Sequence, residues 1–156
     1  MQFETSTFKY LQDLQKNNHR DWFAAEKETY LKAQQNAKDV FAVMLLNLQK
    51  HDEIEKSKMM RIYRDVRFSK DKTPYKAHFA NSYARLGKEL RGGYFLRIRP
   101  GASFLAGGFW EPSKEDLFRI RKEIELDASE IKGVLEDKNY KKYFGGKFES
   151  FSELKT

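Results

Sequence analysis

The dipeptide Pro100-Gly101 is the sequence feature that most constrains the fold of this chain. It separates two short segments, residues 94–99 and residues 103–110, that are rich in aromatic and aliphatic side chains. Proline followed by glycine is typical of a tight turn, and such a turn between two segments of this kind is typical of a β-hairpin. The hairpin predicts an antiparallel sheet, because strands joined by so short a connection must run in opposite directions.

Two further strands are expected before this hairpin. Residues 78–86 form an alternating run, which Gly92-Gly93 separates from the hairpin. Residues 61–68 also alternate, which predicts a strand with two unlike faces. The apolar face of that strand would carry Ile62, Val66 and Phe68. The polar residues 53–58 before it are expected to form a turn.

Apolar residues at helical spacing lie on both sides of the predicted sheet. Before it, a short helix is expected at residues 5–16 and one long helix at about residues 19–50, with Asn18 as the N-cap of the long helix. After it, Ser113 followed by Asp116 is a capping-box pattern that predicts the first of the C-terminal helices. N-terminal helices, an antiparallel sheet of about four strands and C-terminal helices define an α+β fold.

Length and composition favour one globular domain over residues 1–156. Apolar residues make up 40% and aromatic residues 15% of the chain, which is enough for one hydrophobic core. There is no cysteine, which excludes disulfide bonds, thiolate metal ligands and a cysteine nucleophile. Neither an apolar run of the roughly 20 residues that span a bilayer nor a secretory signal is present, so a cytoplasmic protein without membrane contact is expected.

The positive charge of the chain is concentrated in its middle. Residues 56–99 contain thirteen Lys and Arg against three Asp and Glu, a net charge of +10, whereas the whole chain carries +7 and the remainder therefore −3. Eight of these cations lie between Lys56 and Lys76. A local excess of this size indicates a surface for an anionic partner, either a small molecule or a nucleic acid.

The polar face of the predicted strand at residues 61–68 would carry Arg61, Tyr63, Asp65 and Arg67. The Asp65 carboxylate would stay ionised there and hold the two neighbouring arginines in fixed orientations through charge-assisted hydrogen bonds. Arginines held in this way bind phosphate or carboxylate groups in a bidentate manner. Arg64 falls on the apolar face, where it needs an acidic partner, and acids of the flanking helices are the expected ones.

The leading hypothesis for this segment is a site for an anionic, phosphate-bearing ligand. The expected ligand-binding residues are Arg61, Tyr63, Arg64, Asp65, Arg67, Lys72, Tyr75 and Lys76. Three arginines of the later strands would strengthen the site if the sheet brings them onto the same face, namely Arg85, Arg97 and Arg99. If the chain is an enzyme, Asp65 or Asp71 is the expected acid–base group.

Two other interpretations of the same segment stay open. Aromatic side chains are interleaved with the cations, as in surfaces that stack nucleic-acid bases, although no recognised nucleic-acid motif accompanies them. These aromatic residues are Tyr63, Phe68, Tyr75, Phe79 and Tyr83. Alternatively, the charges form a structural network of ion pairs on a covered face of the sheet. The three histidines are far apart in the sequence, so no metal site is expected, and no cofactor is indicated.

Three motifs carry a resemblance to a known family. Residues 61–76 are similar to the signature of an uncharacterised family of conserved bacterial and fungal proteins, a domain of unknown function, and read RIYRDVRFSKDKTPYK. Residues 17–23 and 107–112 resemble its two secondary motifs. The resemblance implies that the three motifs form one composite pocket or one stabilising network, and that members continue beyond the present carboxy terminus. It implies no activity, substrate or cofactor.

Overall fold

The computed structural model describes residues 2–146, which form six helices and four strands. In chain order these are α1 (Thr5–Lys16), α2 (Arg20–Ala25), α3 (Lys27–Leu48), β1 (Ile54–Met59), β2 (Phe79–Arg85), β3 (Gly93–Ile98), β4 (Phe104–Gly108), α4 (Lys114–Leu126), α5 (Ser129–Glu136) and α6 (Lys138–Phe144). The expected α+β architecture is confirmed, with helices on both sides of a four-stranded antiparallel sheet in the sequence. Within these residues, no helix combines the length and the apolar character that crossing a membrane requires.

The sheet is a meander in which each strand pairs with the next one in the sequence, in the order β1-β2-β3-β4. The predicted hairpin of β3 and β4 is confirmed, and Gly101 in its turn has a φ of +72°, a left-handed conformation that costs glycine no strain. Cross-strand partners share one face of a sheet. The register therefore divides the strand side chains into an inner face, which packs toward α3, and an outer face.

The position of the first strand differs from the prediction. The strand expected at residues 61–68 is wrong, and the turn expected at residues 53–58 is instead β1, at the edge of the sheet. Of the β1 side chains only Ile54 is buried, because an edge strand has one neighbour and keeps its charged side chains in water. Residues 61–76 form a loop, and the Phe68 side chain, expected on a buried face, is 97% exposed.

Two of the predicted helix starts are confirmed. Helix α1 has the expected bounds, residues 5–16. Helix α4 begins directly after Ser113, whose Oγ accepts a hydrogen bond from the backbone N–H of Asp116 at 3.1 Å. The Ser113 hydroxyl also donates to the Asp116 carboxylate at 2.9 Å. This reciprocal pair satisfies one of the backbone donors that the first turn of a helix leaves free.

The predicted long helix is divided at Glu26 into α2 and α3. Its N-cap is His19 rather than Asn18, because His19 Nδ1 accepts a hydrogen bond from the backbone N–H of Trp22 at 3.3 Å. The Asn18 side chain instead bonds to the backbone of Tyr75, 57 positions later. A contact so distant in the sequence overrides the local capping preference of asparagine.

The core lies between the inner face of the sheet and the N-terminal helices. Its buried side chains are Tyr10, Leu11, Leu14, Phe23, Tyr30, Ala33, Ala37, Phe41, Ile62, Tyr75, Phe79 and Ile98. The buried Tyr83 hydroxyl on β2 donates to the backbone carbonyl of Phe41 on α3 at 3.0 Å. Large aromatic side chains thus supply much of the buried area and one direct bond between sheet and helix.

The chain divides into two compact units, Met1–Trp110 and Glu111–Thr156. The first contains α1 to α3 and the whole sheet. The described part of the second contains α4 to α6. The candidate site lies within the first unit. The single domain expected over residues 1–156 stays a prediction.

Candidate functional site

Residues 61–76, called the signature loop below, lie in the connection between β1 and β2. Two backbone hydrogen bonds close the base of this loop, from the N–H of Arg64 to the carbonyl of Pro74 at 2.9 Å and from the N–H of Lys76 to the carbonyl of Ile62 at 2.7 Å. Tyr63 and Tyr75 lie opposite each other between these bonds, in a single antiparallel bridge. The loop is therefore held by its own backbone at the base, and its remaining residues form a tip.

The base of the signature loop packs on the segment that carries the motif at residues 17–23. The Asn18 side chain donates to the carbonyl of Tyr75 at 2.9 Å and accepts from its N–H at 3.1 Å. The Tyr75 ring stacks on the Phe23 ring, with centroids 4.0 Å apart and an interplanar angle of 12°. Tyr75 is only 6% exposed, so its place in the structure is that of a core residue. The first two motifs of the resemblance are thus in direct contact.

Arg64 is enclosed by side chains of the loop tip. Its guanidinium donates to Asp71 and Thr73, and at 3.4 Å to the hydroxyl of Ser69. The partner expected from a flanking helix is wrong, because the loop supplies its own carboxylate. Hydrogen bonds from the Thr73 N–H, the Arg64 side chain and the Thr73 hydroxyl lower the pKa of Asp71 to about 2. Asp71 is therefore ionised at neutral pH and bound to groups of its own loop.

Asp65 and Arg67 form the second internal pair of the tip. Arg67 Nε lies 3.0 Å from one Asp65 oxygen and Arg67 Nη2 2.6 Å from the other, which is a bidentate geometry. The hydrogen bonds from the Arg67 side chain and its backbone N–H lower the pKa of Asp65, and the charge of Arg61 contributes further. The expected orienting contact of Asp65 is present toward Arg67, whereas Arg61 forms no ion pair within residues 2–146.

The other expected ligand-binding residues have separate environments. Lys72 Nζ donates to the backbone carbonyl of Val66 at 3.0 Å, which braces the tip. The Tyr63 side chain is 48% exposed at the base of the loop. Lys76 lies next to the end of the loop that enters β2. The structure thus gives Arg64, Arg67 and Lys72 partners within the loop and leaves Arg61, Tyr63 and Lys76 accessible.

Four basic side chains, called the basic cluster below, lie where the signature loop meets the sheet: Lys76, His78, Arg97 and Arg99. His78 is half-buried, and burial together with the positive charges of Arg97, Lys76 and Arg99 lowers its pKa to about 4. None of the three cations forms an ion pair with a carboxylate of residues 2–146. Arg97 Nε is buried without a hydrogen-bond partner among the same residues. Positive charge is therefore concentrated at this point, and the described part of the chain supplies no carboxylate to neutralise it.

The arginines of the later strands separate into two groups. Arg97 and Arg99 join the basic cluster. The sequence hypothesis expected them on one face with a strand at residues 61–68, and that strand does not form. Arg85 does not, because its Nε lies 2.7 Å from the Asp52 carboxylate, which also accepts a hydrogen bond from the Tyr94 hydroxyl at 2.8 Å. His78 is not among the ligand-binding residues expected from the sequence. Its position two residues after Lys76 is the feature of the sequence that indicates it.

The third motif lies at the opposite end of the sheet from the signature loop. Gly108 is paired with Gly93, and Gly93 with Ala84, whereas the loop meets the sheet near Phe79 and Ile98. A Cβ atom on Gly93 would lie 2.3 Å from the backbone oxygen of Tyr83, so this glycine allows close approach of the strands. The three motifs therefore do not form the expected composite pocket. The first two are in contact, and the third lies at the other end of the sheet.

The signature loop borders neither of two open depressions in the structure. One of about 290 Å³ is lined by Ala84, Arg85, Gly87, Lys88, Leu90, Arg91 and Gly92. One of about 350 Å³ is lined by Lys114, Glu115, Phe118 and Arg119.

Comparison with known proteins gives a family and nothing closer. Neither a curated protein nor a solved structure matches the chain. A family model does match, over residues 6–156, which include all three motifs and every residue of the basic cluster. The chain therefore belongs to the family described as conserved hypothetical protein (DUF2461).

Proposed function

We propose that the protein binds a phosphate-bearing anion at the basic cluster. The observation that carries this proposal is the gathering of three cations around the half-buried His78, none of which has a carboxylate partner among residues 2–146. Like charges held together cost free energy unless an anion compensates them, and a phosphate with its several oxygens can accept from all of them. A bound anion would remove the mutual repulsion that the free protein tolerates.

The signature loop supports this site by fixing the end from which Lys76 extends. The Lys76 N–H is bonded to the Ile62 carbonyl, so the antiparallel base of the loop places Arg61 beside the start of β2. Arg61 is exposed and carries no ion pair among the described residues, so it is available as a further contact to the anion. The proposal assigns the tip residues Arg64 and Asp71 to the rigidity of the loop.

The side chains of the cluster have complementary chemistry. The guanidinium group of Arg99 offers planar donors to phosphate, and Lys76 offers a compact charge. Arg97 contributes its positive charge, while its Nη2 donates to the backbone carbonyl of Ala102 at 3.3 Å. His78 is neutral at pH 7, so it can donate one hydrogen bond without adding charge until an anion arrives. Asp65 and Asp71, expected as acid–base groups of an enzyme, are ionised and engaged with arginines, so the proposal is one of binding.

The experiment is a titration of His78 followed by NMR, with and without inorganic phosphate at millimolar concentration. Bound phosphate is expected to raise the pKa of His78 from about 4 toward 6.5, because the anion offsets the three positive charges. Arg99→Gln is expected to raise this pKa without phosphate and to weaken the response to phosphate. Lys9→Gln, an exposed position on α1, is the matched control and leaves both unchanged. Identical His78 titrations with and without phosphate would overturn the proposal.

A further inference from the structure

The outer face of the sheet has a composition that the proposed anion site does not explain. Strands β2, β3 and β4 contain neither Asp nor Glu. On β2 the outward positions are small, and Ala84, for example, pairs with Gly93. On β1 the outward positions are lysines, with Lys58 opposite Ser82. A strip of small residues thus lies beside an edge of positive charge.

On the other side of this strip the outer face carries aromatic rings. Phe95 on β3 and Phe104 on β4 lie with ring centroids 5.7 Å apart and an interplanar angle of 37°. The Arg97 guanidinium lies over the Phe104 ring, 4.4 Å from its centroid. Phe104 is 41% exposed, and its neighbours along β4 are exposed as well. A planar cation and two rings therefore form one continuous stacking surface.

Arg97 joins this stacking surface to the basic cluster. It opposes Ala80 on β2 and Phe104 on β4, both on the outer face, and it is one of the three charges around His78. Arg99 follows the last residue of β3, and its charge acts on His78 together with that of Arg97. Cations and aromatic rings on one sheet face are the two components from which proteins build platforms for unpaired nucleotides.

We infer that the outer face of the sheet binds a single strand of nucleic acid, with bases stacked on Phe95 and Phe104 and backbone phosphates on the basic cluster and the lysines of β1. The inference rests on the proposed anion site, because it identifies the phosphate bound there as part of a polynucleotide backbone. Charge complementarity selects this partner: the face is basic, free of Asp and Glu on three strands, and aromatic. An acidic peptide would use the charges but leave the rings without stacking partners.

The test uses the full chain and a fluorescein-labelled oligothymidylate of about ten nucleotides, a length within the span of known single-strand platforms. Fluorescence anisotropy is expected to show binding that weakens steeply as salt rises, and a clear preference over a duplex of the same length. Phe104→Leu keeps an apolar side chain and removes the ring, so the dissociation constant is expected to rise about tenfold.

Leu105→Ala is the matched control, because Leu105 is the next residue of β4, is exposed to a similar degree at 48%, and lies on the inner face opposite Leu96. It is expected to leave the affinity unchanged. Thermal unfolding checks that each variant folds, and Phe95→Leu replaces Phe104→Leu if the latter does not. Equal affinity for single strand and duplex, or no loss in the ring variants, would overturn the inference.

The two proposals fail in different ways. If phosphate raises the pKa of His78 but the oligonucleotide binds without any contribution from the rings, the anion site stands and the single-strand platform is wrong. If phosphate leaves His78 unchanged, the anion site is wrong, and the inference that rests on it is wrong as well.

Discussion

Asn18 hydrogen-bonds both the backbone N–H and the backbone carbonyl of Tyr75, and it does so as a neighbouring strand would. In the bridge between Tyr63 and Tyr75 the two ladder bonds are made by the flanking residues, so the polar backbone groups of Tyr75 point away from Tyr63. The Asn18 side chain satisfies both, because its amide nitrogen donates to the Tyr75 carbonyl and its amide oxygen accepts from the Tyr75 N–H. One side chain thus ties the entry of α2 to the base of the signature loop.

We therefore expect Asn18→Ala to destabilise the protein by about 1–3 kcal/mol, because two partly buried backbone groups lose their partner. Urea unfolding followed by tryptophan fluorescence measures this change. Asn47→Ala is the control, since the Asn47 side chain is exposed and accepts a hydrogen bond from the exposed Lys50, and alanine favours the helix. An equal loss of stability in both variants would contradict the role of Asn18.

The first strand shows why periodicity located most of the fold but misplaced one element. The alternation of residues 61–68 does not come from a sheet. Ile62 at the base of the signature loop is packed in the core, whereas most residues of the tip are polar. Strand β1 has one buried side chain, Ile54, and lysines on its outer face, so it lacks an apolar signal. Periodicity reports which side chains are apolar, but the presence of a neighbouring strand is set by tertiary pairing.

The pairs within the tip of the signature loop make the stability of the protein depend on pH at low pH. The pKa of Asp71 is lowered from 3.8 to about 2, so Asp71 stabilises the fold above pH 3.8, and this contribution disappears as the pH falls through about 2. Asp71→Asn keeps an acceptor for the Thr73 N–H but removes the charge that Arg64 binds.

We expect the difference in unfolding free energy between wild type and Asp71→Asn to be constant near neutral pH and to shrink as the pH falls from 3.8 to 2. Urea unfolding at a series of pH values measures it. Arg64→Lys tests the same contact from the other side, because lysine cannot donate to Asp71, Thr73 and Ser69 with one planar group. If this difference stays the same between pH 3.8 and pH 2, the charge of Asp71 does not contribute to the stability of the fold.

The charge pattern in the sequence does not distinguish the arginines that are paired within the signature loop from those that are not. Arg97 and Arg99 lie near His78 because of the sheet and the turn that follows it, whereas the sequence hypothesis expected them on one face with a strand at residues 61–68, which does not form. The sequence predicts Arg64 as a ligand-binding residue, but turn geometry joins it to Asp71, seven residues away. A contact inside an irregular loop follows from local backbone turns that no periodicity encodes, so the sequence could not distinguish a paired arginine from a free one.

The titration of His78 adds a second pH dependence to the stability of the protein, at higher pH than that of Asp71. Its pKa is lowered from 6.5 to about 4, so between these values the unfolded chain binds a proton that the folded chain does not. Stability is therefore complete above pH 6.5 and decreases as the pH falls toward 4. His78→Gln is expected to flatten the dependence of the unfolding free energy on pH in this range, as measured by urea unfolding. An unchanged slope would mean that His78 titrates alike in both states.

Two buried tyrosine hydroxyls offer a direct comparison of a satisfied and an unsatisfied group. The Tyr83 hydroxyl donates to the Phe41 carbonyl at 3.0 Å, and burial raises the pKa of Tyr83 to about 12. The Tyr10 hydroxyl is buried without a hydrogen-bond partner among residues 2–146, and burial raises its pKa as well. Removing a hydroxyl that is bonded leaves an acceptor without its donor, whereas removing an unpaired one relieves a desolvation cost.

We expect Tyr83→Phe to lower the free energy of unfolding by about 1 kcal/mol and Tyr10→Phe to leave it unchanged or to raise it. Each change deletes a single oxygen and keeps the ring, so the two variants differ only in what that oxygen contacts. Thermal and urea unfolding of both proteins under the same conditions gives the comparison. A loss in Tyr10→Phe as large as that in Tyr83→Phe would show that the Tyr10 hydroxyl has a bonding partner in solution, such as a buried water molecule.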